Sequence, residues 1–259
     1  MKLVIKLGGT LLDSAESRDR IAGELAQVHA AHNLVVVHGG GKQMTRFLEE
    51  RGIQSQFVNG LRVTTAETLD ALIKVLAGSV NQNLVAALIA ANVPAVGLSG
   101  VDANLVVAEQ MDPALGAVGK VTRSCPELLS ILTSNRFLPV VACLAGDGKG
   151  GFFNVNGDQM AVACATAFAA DRLVFCTDVD GVLDAEGRTI PGLDPKTVEE
   201  LINSGVAKGG MQAKLNAAVA AVTGGVQDVC IVSGKRPGVL AELLANRVHG
   251  TRLSTGMYK

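Results

Sequence analysis

The chain has 259 residues, 48% hydrophobic and 18% charged, a balance that builds one large α/β domain or two fused lobes and argues against disorder. Lys and Arg number 23 against 24 Asp and Glu, so the formal charge of −1 offers no field for nucleic acid or an anionic membrane. With no Trp and one Tyr, base-stacking platforms are scarce, and no run approaches the roughly 20 uninterrupted apolar residues of a bilayer span.

Lys2–Leu7 reads as a short buried strand ending at glycines. Residues 14–31 carry helical spacing at Ile21, Leu25 and Val28, and 34–37 form a second apolar strand. Strand, helix and strand make a βαβ unit, for which a right-handed crossover is expected. A helix over 42–51, a hairpin-like stretch near 53–63, helices across 66–91 and a strand over 95–98 follow. Segments 106–109 and 117–121 flank a turn at Asp112-Pro113, then come a helix over 126–134 and a strand over 138–142. The second half repeats this grammar: helix 156–170, strand 172–177, a hairpin over 181–190, helices 195–204 and 211–223, strand 228–232, helix 238–245 and a last short strand near 251–253. The pattern predicts an α/β sheet with helices on both faces. Residues 146–151 (Gly-Asp-Gly-Lys-Gly-Gly) have the most flexible composition and mark the expected lobe boundary. Residues 1–7 are too short for a secretory core, and the five cysteines sit singly in apolar stretches without a CxxC pair. Buried free thiols in a reducing cytoplasm are expected.

Glycine-rich turns end three predicted strands: Lys6-Leu7-Gly8-Gly9, His38-Gly39-Gly40-Gly41 and Leu98-Ser99-Gly100. In open α/β sheets ligands bind at these strand ends, where glycine lets backbone amides approach an anion. A tight turn explains any one of them equally well. Neither of the first two matches GxxxxGK[ST] or GxGxxG, so the P-loop and the dinucleotide fingerprint are absent. Lys6 ends an apolar strand just before glycines, where an ammonium suits a transferring phosphoryl group; a lysine reaching solvent is the plainer alternative. Lys214 lies one turn into a helix entered through Gly209-Gly210, and helical side chains lean toward that entry. Asn154-Val155-Asn156-Gly157-Asp158 opens another helix with more polar groups than capping needs, and a buried Asp158 would call for cations such as Lys6 and Lys214. Arg62, after the Asn59-Gly60 turn, suits bidentate carboxylate recognition or a surface charge. The four histidines have no metal-ligand spacing, and no HExxH or Gly-x-Ser-x-Gly elbow is present.

These motifs, in this order over nearly the whole chain, resemble the amino-acid kinase family. Lys6–Gly9, His38–Gly41, Asn59–Thr64 and Asn154–Asp158 carry the likeness, together with Thr177-Asp178-Val179-Asp180-Gly181-Val182 and Gly210-Met211-x-x-Lys214. The resemblance implies a three-layer αβα sandwich with a mainly parallel open central sheet. It implies one domain over 1–259, with an acceptor-binding lobe to about residue 150 and an ATP-binding lobe over about 151–259. Lys6 and Lys214 would stabilise the transferring γ-phosphoryl group, and Asp158 would orient both. Gly8, Gly9, Gly40 and Gly41 would cradle phosphate and substrate, while Arg62 and Asn154 would hold an α-carboxylate. Thr177, Asp178, Val179, Asp180, Gly181, Val182 and Leu183, with Lys208, Gly209, Gly210 and Met211, would line the site of ATP, which carries Mg²⁺.

The implied reaction is ATP-dependent phosphorylation of the side-chain carboxylate of N-acetyl-L-glutamate, in arginine biosynthesis. Such an acceptor is already ionised at neutral pH and needs no general base; it needs relief of charge repulsion. N-acetylaminoadipate or another N-acylated acidic amino acid is the alternative acceptor, one methylene being worth only about 1–3 kcal/mol of discrimination. A non-catalytic ATP-binding sensor would carry a damaged lysine pair, whereas Lys6, Asp158 and Lys214 all stand. The first strand opens without the helical extension shared by arginine-inhibited hexameric members, which implies an arginine-insensitive homodimer. No nucleic-acid or membrane partner is expected.

Overall fold

The computed structural model describes residues 1–8, 10–245, 247 and 249–256. Strand β1 (Lys2–Leu7), helix α1 (Ala15–Ala31) and strand β2 (Asn33–His38) form the opening βαβ unit, with Ser14 capping α1 by accepting from the Ser17 amide. Helix α2 (Gly41–Glu49) starts directly in the second glycine turn. Strands β3 (Phe57–Val58) and β4 (Leu61–Arg62) make a hairpin turned by Asn59 and Gly60, both with positive φ (50° and 79°), the conformation an Asn-Gly pair favours.

A continuous helical stretch follows: α3 (Ala66–Leu72), a π-helix over Ile73–Val80, and α4 (Asn81–Ala90). By length and composition Ala66–Ala90 could cross a bilayer. Here Leu72, Val75, Leu76, Val80, Leu84 and Leu88 are buried in one core cluster. Next come β5 (Ala95–Ser99), β6 (Val106–Gln110), β7 (Gly119–Ser124), α5 (Glu127–Ser134), β8 (Leu138–Ala142), β9 (Leu144–Gly146) and β10 (Phe152–Asn154). The chain continues through α6 (Gly157–Phe168), β11 (Arg172–Thr177), β12 (Gly192–Leu193), α7 (Pro195–Asn203), α8 (Gly209–Thr223), β13 (Asp228–Ser233), α9 (Val239–Leu244) and β14 (Gly250–Leu253).

The main sheet runs β12-β14-β13-β11-β1-β2-β8-β5 and is parallel from β13 to β5, with β14 antiparallel to β13. It draws strands from both halves of the chain. Alternation along each strand feeds two cores. Leu3, Ile5, Leu7, Leu34 and Val36 pack with Ile21 and Leu25 of α1 and Leu84 and Leu88 of α4. Val4, Val35, Val37 and Phe175 pack with Met160 and Ala161 of α6 and Leu215 and Ala218 of α8. Lys6 falls on this second face by parity, a charge inside an apolar layer.

The α/β class, the parallel sheet and most helix positions follow the sequence pattern. Three strands and the π winding do not. β9, β10 and β12 are two or three residues long and carry no periodicity; β9 and β10 join a second sheet, β10-β9-β6-β7. The glycine-rich residues 146–151 make the turn between β9 and β10. The expected hairpin over 181–190 reduces to one bridge, Leu183 with Thr189. Its turn is held by the Asp184 carboxylate, which accepts from the Glu186 and Arg188 amides.

Candidate active site

Parallel strands aim their carboxyl ends at one edge of the sheet, and the candidate residues gather there. Lys6, near the end of β1, and Lys214, in α8, both reach Asp158, the second residue of α6. Lys6 Nζ lies 2.8 Å from Asp158 Oδ1 as an ion pair, and Lys214 Nζ donates to Oδ2 at 2.8 Å. The side chains of all three are 11–12% exposed. Burial alone would raise the Asp158 carboxyl, but the charges and hydrogen bonds of the two lysines outweigh it and hold it below the ordinary carboxylate range. Burial lowers Lys214, with Asp158 opposing and Lys6 adding to the fall. The Lys214 ammonium also stands 5.0 Å from the Phe175 ring centre, and Phe175 pairs with Lys6 across β1 and β11.

Local sequence explains the convergence. Asn156 caps α6 by accepting from the amides of Asp158 and Gln159, which fixes the first turn bearing the carboxylate. Glycine at 157 leaves room for the lysine, because a Cβ there would stand in tight contact, 3.1 Å from Lys6 Cε and 3.2 Å from Cys143 Sγ. Gly8 makes the same allowance, its Cβ position lying 3.0 Å from Lys6 Nζ.

Beside this cluster lies a cavity of about 180 Å³, lined by Gly39, Gly40, Gly41, Arg62, Asn154 and Gly157 among others. Arg62 is buried, and its guanidinium donates to Ser55 Oγ, to Thr45 Oγ1 at 2.7 Å and to the Gly41 carbonyl at 3.2 Å, while stacking 4.6 Å from the Phe57 ring centre. Burial lowers its pKa, with Glu49 opposing. Asn154 donates to Thr64 Oγ1 at 3.0 Å, and Thr64 in turn donates to the Arg62 carbonyl at 2.8 Å, so the two cavity residues are held by one chain of bonds.

The remaining expected residues fall in two segments, one following the carboxyl end of β11 and one at the start of α8. Thr177 ends β11, and Asp178 accepts from the amide and hydroxyl of Thr10 (3.3 and 2.6 Å), tying the turn after Gly8 to this strand end. Gly9 lies outside the described residues. Burial would raise Asp178, but the Thr10 bonds and then Lys235 and Lys42 hold it below the ordinary carboxylate range. Val179 and Leu183 present exposed apolar side chains, whereas Val182 is buried and its amide donates to Thr251 Oγ1. Between them lie Asp180 and Gly181, where a Cβ would meet Thr189 and Thr251 at 2.8 Å. Lys208 occupies the N-cap position of α8 without a side-chain capping bond, Gly209 follows with φ +54°, and Gly210 and Met211 complete the helix entry one turn before Lys214. Sequence reasoning did not assign Thr10, His38, Asn81 or Cys143. Glycines beside His38 were a usable signal; Asn81, inside an apolar helix, offered none.

A model described as the amino acid kinase family matches residues 1–233. The chain belongs to the amino-acid kinase family. Among curated members of this family it is 59% identical over 256 residues, 98% of this chain and all of the relative, to acetylglutamate kinase of Solibacter usitatus (strain Ellin6076). It is 42% identical to the protein of that name from Ruegeria sp. (strain TM1040), over 97% of this chain and 88% of the relative. Among solved structures of the fold, the N-acetylglutamate synthase of Neisseria gonorrhoeae, complexed with coenzyme A and N-acetyl-glutamate, aligns with a TM-score of 0.88 at 26% identity, over 99% of this chain and 60% of that one. The carbamate kinase of Giardia, at 15% identity and a TM-score of 0.74 over 98% of this chain, shares the family's fold.

Proposed function

We propose that this amino-acid kinase transfers the γ-phosphoryl group of ATP to the side-chain carboxylate of N-acetyl-L-glutamate, in arginine biosynthesis. The observation that carries the reading is the pair of lysines held 2.8 Å from the two oxygens of one buried carboxylate, beside a cavity that contains an arginine, an asparagine and two glycine amides. The first-half residues Gly40, Gly41 and Arg62, with Asn154, receive the acceptor. Gly8, Gly9, residues 177–183 and residues 208–211 receive the nucleotide. On this division a lobe to about residue 150 binds the acceptor and the remainder binds ATP.

The acceptor carboxylate is anionic at neutral pH, so no residue has to remove a proton. Its oxygen forms a bond to the γ-phosphorus as the bond to the β,γ-bridging oxygen breaks; ADP leaves with that electron pair, and the product is an acyl phosphate. Lys6 and Lys214 neutralise charge on the transferring group, and Asp158 keeps both ammoniums on its side of the cavity. Among the described residues no cluster of three His, Cys, Asp or Glu could cage a metal. On this reading Mg²⁺ would arrive on the nucleotide phosphates and neutralise charge there. The reading places the enzyme in the cytoplasm as a homodimer.

The test is ADP release with MgATP and either N-acetyl-L-glutamate or N-acetyl-L-aminoadipate, with hydroxylamine trapping the acyl phosphate. Faster turnover and hydroxamate with acetylglutamate are expected. Preference for the longer acid would move the reaction to a different acceptor, and silence with both would overturn the reading.

A further inference from the structure

His38 and Asn81 lie 43 residues apart and meet in the interior, between the sheet and the helix over 66–90. Both are buried. The Asn81 amide nitrogen sits 2.9 Å from the Val140 carbonyl oxygen, an acceptor only, which fixes that nitrogen as the donor end of the amide. The same nitrogen lies 2.9 Å from His38 Nε2, which therefore accepts. Burial lowers the imidazole pKa to about 4, against a smaller opposing effect of the Gly39 carbonyl, so the ring is neutral at physiological pH with one proton. That proton is on Nδ1, and Nδ1–H donates to the Gly39 carbonyl at 2.8 Å.

A trans peptide sets its C=O and N–H on opposite sides. With the Gly39 carbonyl held at the imidazole, the Gly40 N–H turns away from it. Gly39, Gly40 and Gly41 all line the cavity, and no described residue accepts from the amides of Gly40 or Gly41. The π-helix packs against the same turn, with Leu76 Cδ2 2.5 Å and Val80 Cγ2 3.3 Å from the position of a Gly40 Cβ, and Leu76 also lines the cavity. The π winding also aims Asn81. It turns less per residue than an α-helix, so the residue after it faces a direction that uninterrupted α-helix would not supply. Gly97 clears space for that side chain, since a Cβ there would collide with Asn81 Oδ1.

We infer that His38 is a positioning residue, its tautomer set by Asn81, which orients the Gly39–Gly40 peptide so that the Gly40 amide donates into the cavity during phosphoryl transfer. The inference rests on the proposed kinase reaction, and inactivity of the unaltered enzyme would reject that reaction rather than this assignment.

Two substitutions separate the orienting bond from simple packing. The amide nitrogen of asparagine falls near the place of Nδ1, and the amide of glutamine near that of Nε2. His38→Asn should therefore keep a donor to the Gly39 carbonyl, while His38→Gln keeps only the contact with Asn81. The glutamine variant is expected to lose kcat by roughly a hundredfold, the cost of misdirecting one amide donor, with KM for ATP unchanged. The asparagine variant should retain at least ten times more kcat than the glutamine one, at a similar Tm. Equal kcat in the two, or the reverse order, overturns the assignment. Independently of any variant, long-range ¹H–¹⁵N spectra of the unaltered protein should show His38 protonated at Nδ1 and bare at Nε2. The opposite tautomer overturns it as well.

Discussion

Two carboxylates in this molecule each bridge two cations, at opposite ends of the parallel strands of one sheet and on its opposite faces. At the carboxyl ends, Asp158 meets Lys6 and Lys214. At the amino ends, Asp228 opens β13 and meets Arg172, which opens β11, and Arg252 of β14. The arginine cluster is a lattice of forks. Arg252 donates from Nε and Nη2 to both Asp228 oxygens at 2.7 and 2.6 Å, and Arg172 donates to Asp228 at 3.0 Å and to the Leu243 carbonyl of α9 at 3.2 Å. Planar guanidiniums spend several donors on protein and lock β11, β13, β14 and α9 together. The lysine cluster spends one contact per ammonium on Asp158. An ammonium has three donors, and the contact with Asp158 uses one of them. The same charge count thus makes a strut at one end and, on the proposed function, the reactive edge at the other, and the difference lies in side-chain shape.

Removing charges from each cluster should separate these roles. Lys6→Ala and Lys214→Ala should each lower kcat by a factor of roughly 10²–10³ while the variants unfold near the Tm of the unaltered protein. Steady-state ADP release beside a thermal melt reads this, and near-normal turnover in either variant would remove that lysine from the chemistry. Asp228→Ala should do the reverse. It takes away the carboxylate shared by two guanidiniums and should cost about 3 kcal/mol of stability, seen as a lower urea midpoint, with kcat intact at temperatures where the protein is folded. A large loss of kcat there would contradict the division. The smallest effect is expected at Arg62, which lies between the two types: its fork is anchored on Ser55, Thr45 and Gly41, yet it lines the cavity. Arg62→Ala should raise KM for the acceptor about tenfold or more, the worth of a hydrogen bond to a charged group, with kcat changed less. An unchanged KM would refute the carboxylate role.

Much of this was legible in the chain itself. Alternation and apolar runs determined a parallel α/β sheet, because strands buried on both faces must be apolar throughout. Against that background Lys6 stood out as a charge in a buried strand, and Gly209-Gly210 before Lys214 and Asn156-Gly157-Asp158 marked helix entries with polar groups beyond capping needs. Glycine turns at strand ends named the sheet edge where Lys6, Asp158 and Lys214 meet. Local pattern also placed the Asn59-Gly60 turn, since that pair tolerates positive φ.

Tertiary structure decided who meets whom. Lys6, Asp158 and Lys214 are separated by 152 and 56 residues, and only the packing of α6 and α8 across β1 sets the 2.8 Å contacts between them. The short strands β9, β10 and β12 exist because neighbours supply their hydrogen bonds, not because two or three residues have a period. The partnership of Asn81 with His38 follows a π winding within an otherwise ordinary apolar helix, a change of register that no local pattern of residues announces. Sequence determines which groups the chain carries and which face of its own element each one takes. Distances between elements follow from the joint burial of both cores, a condition that no local stretch of residues contains.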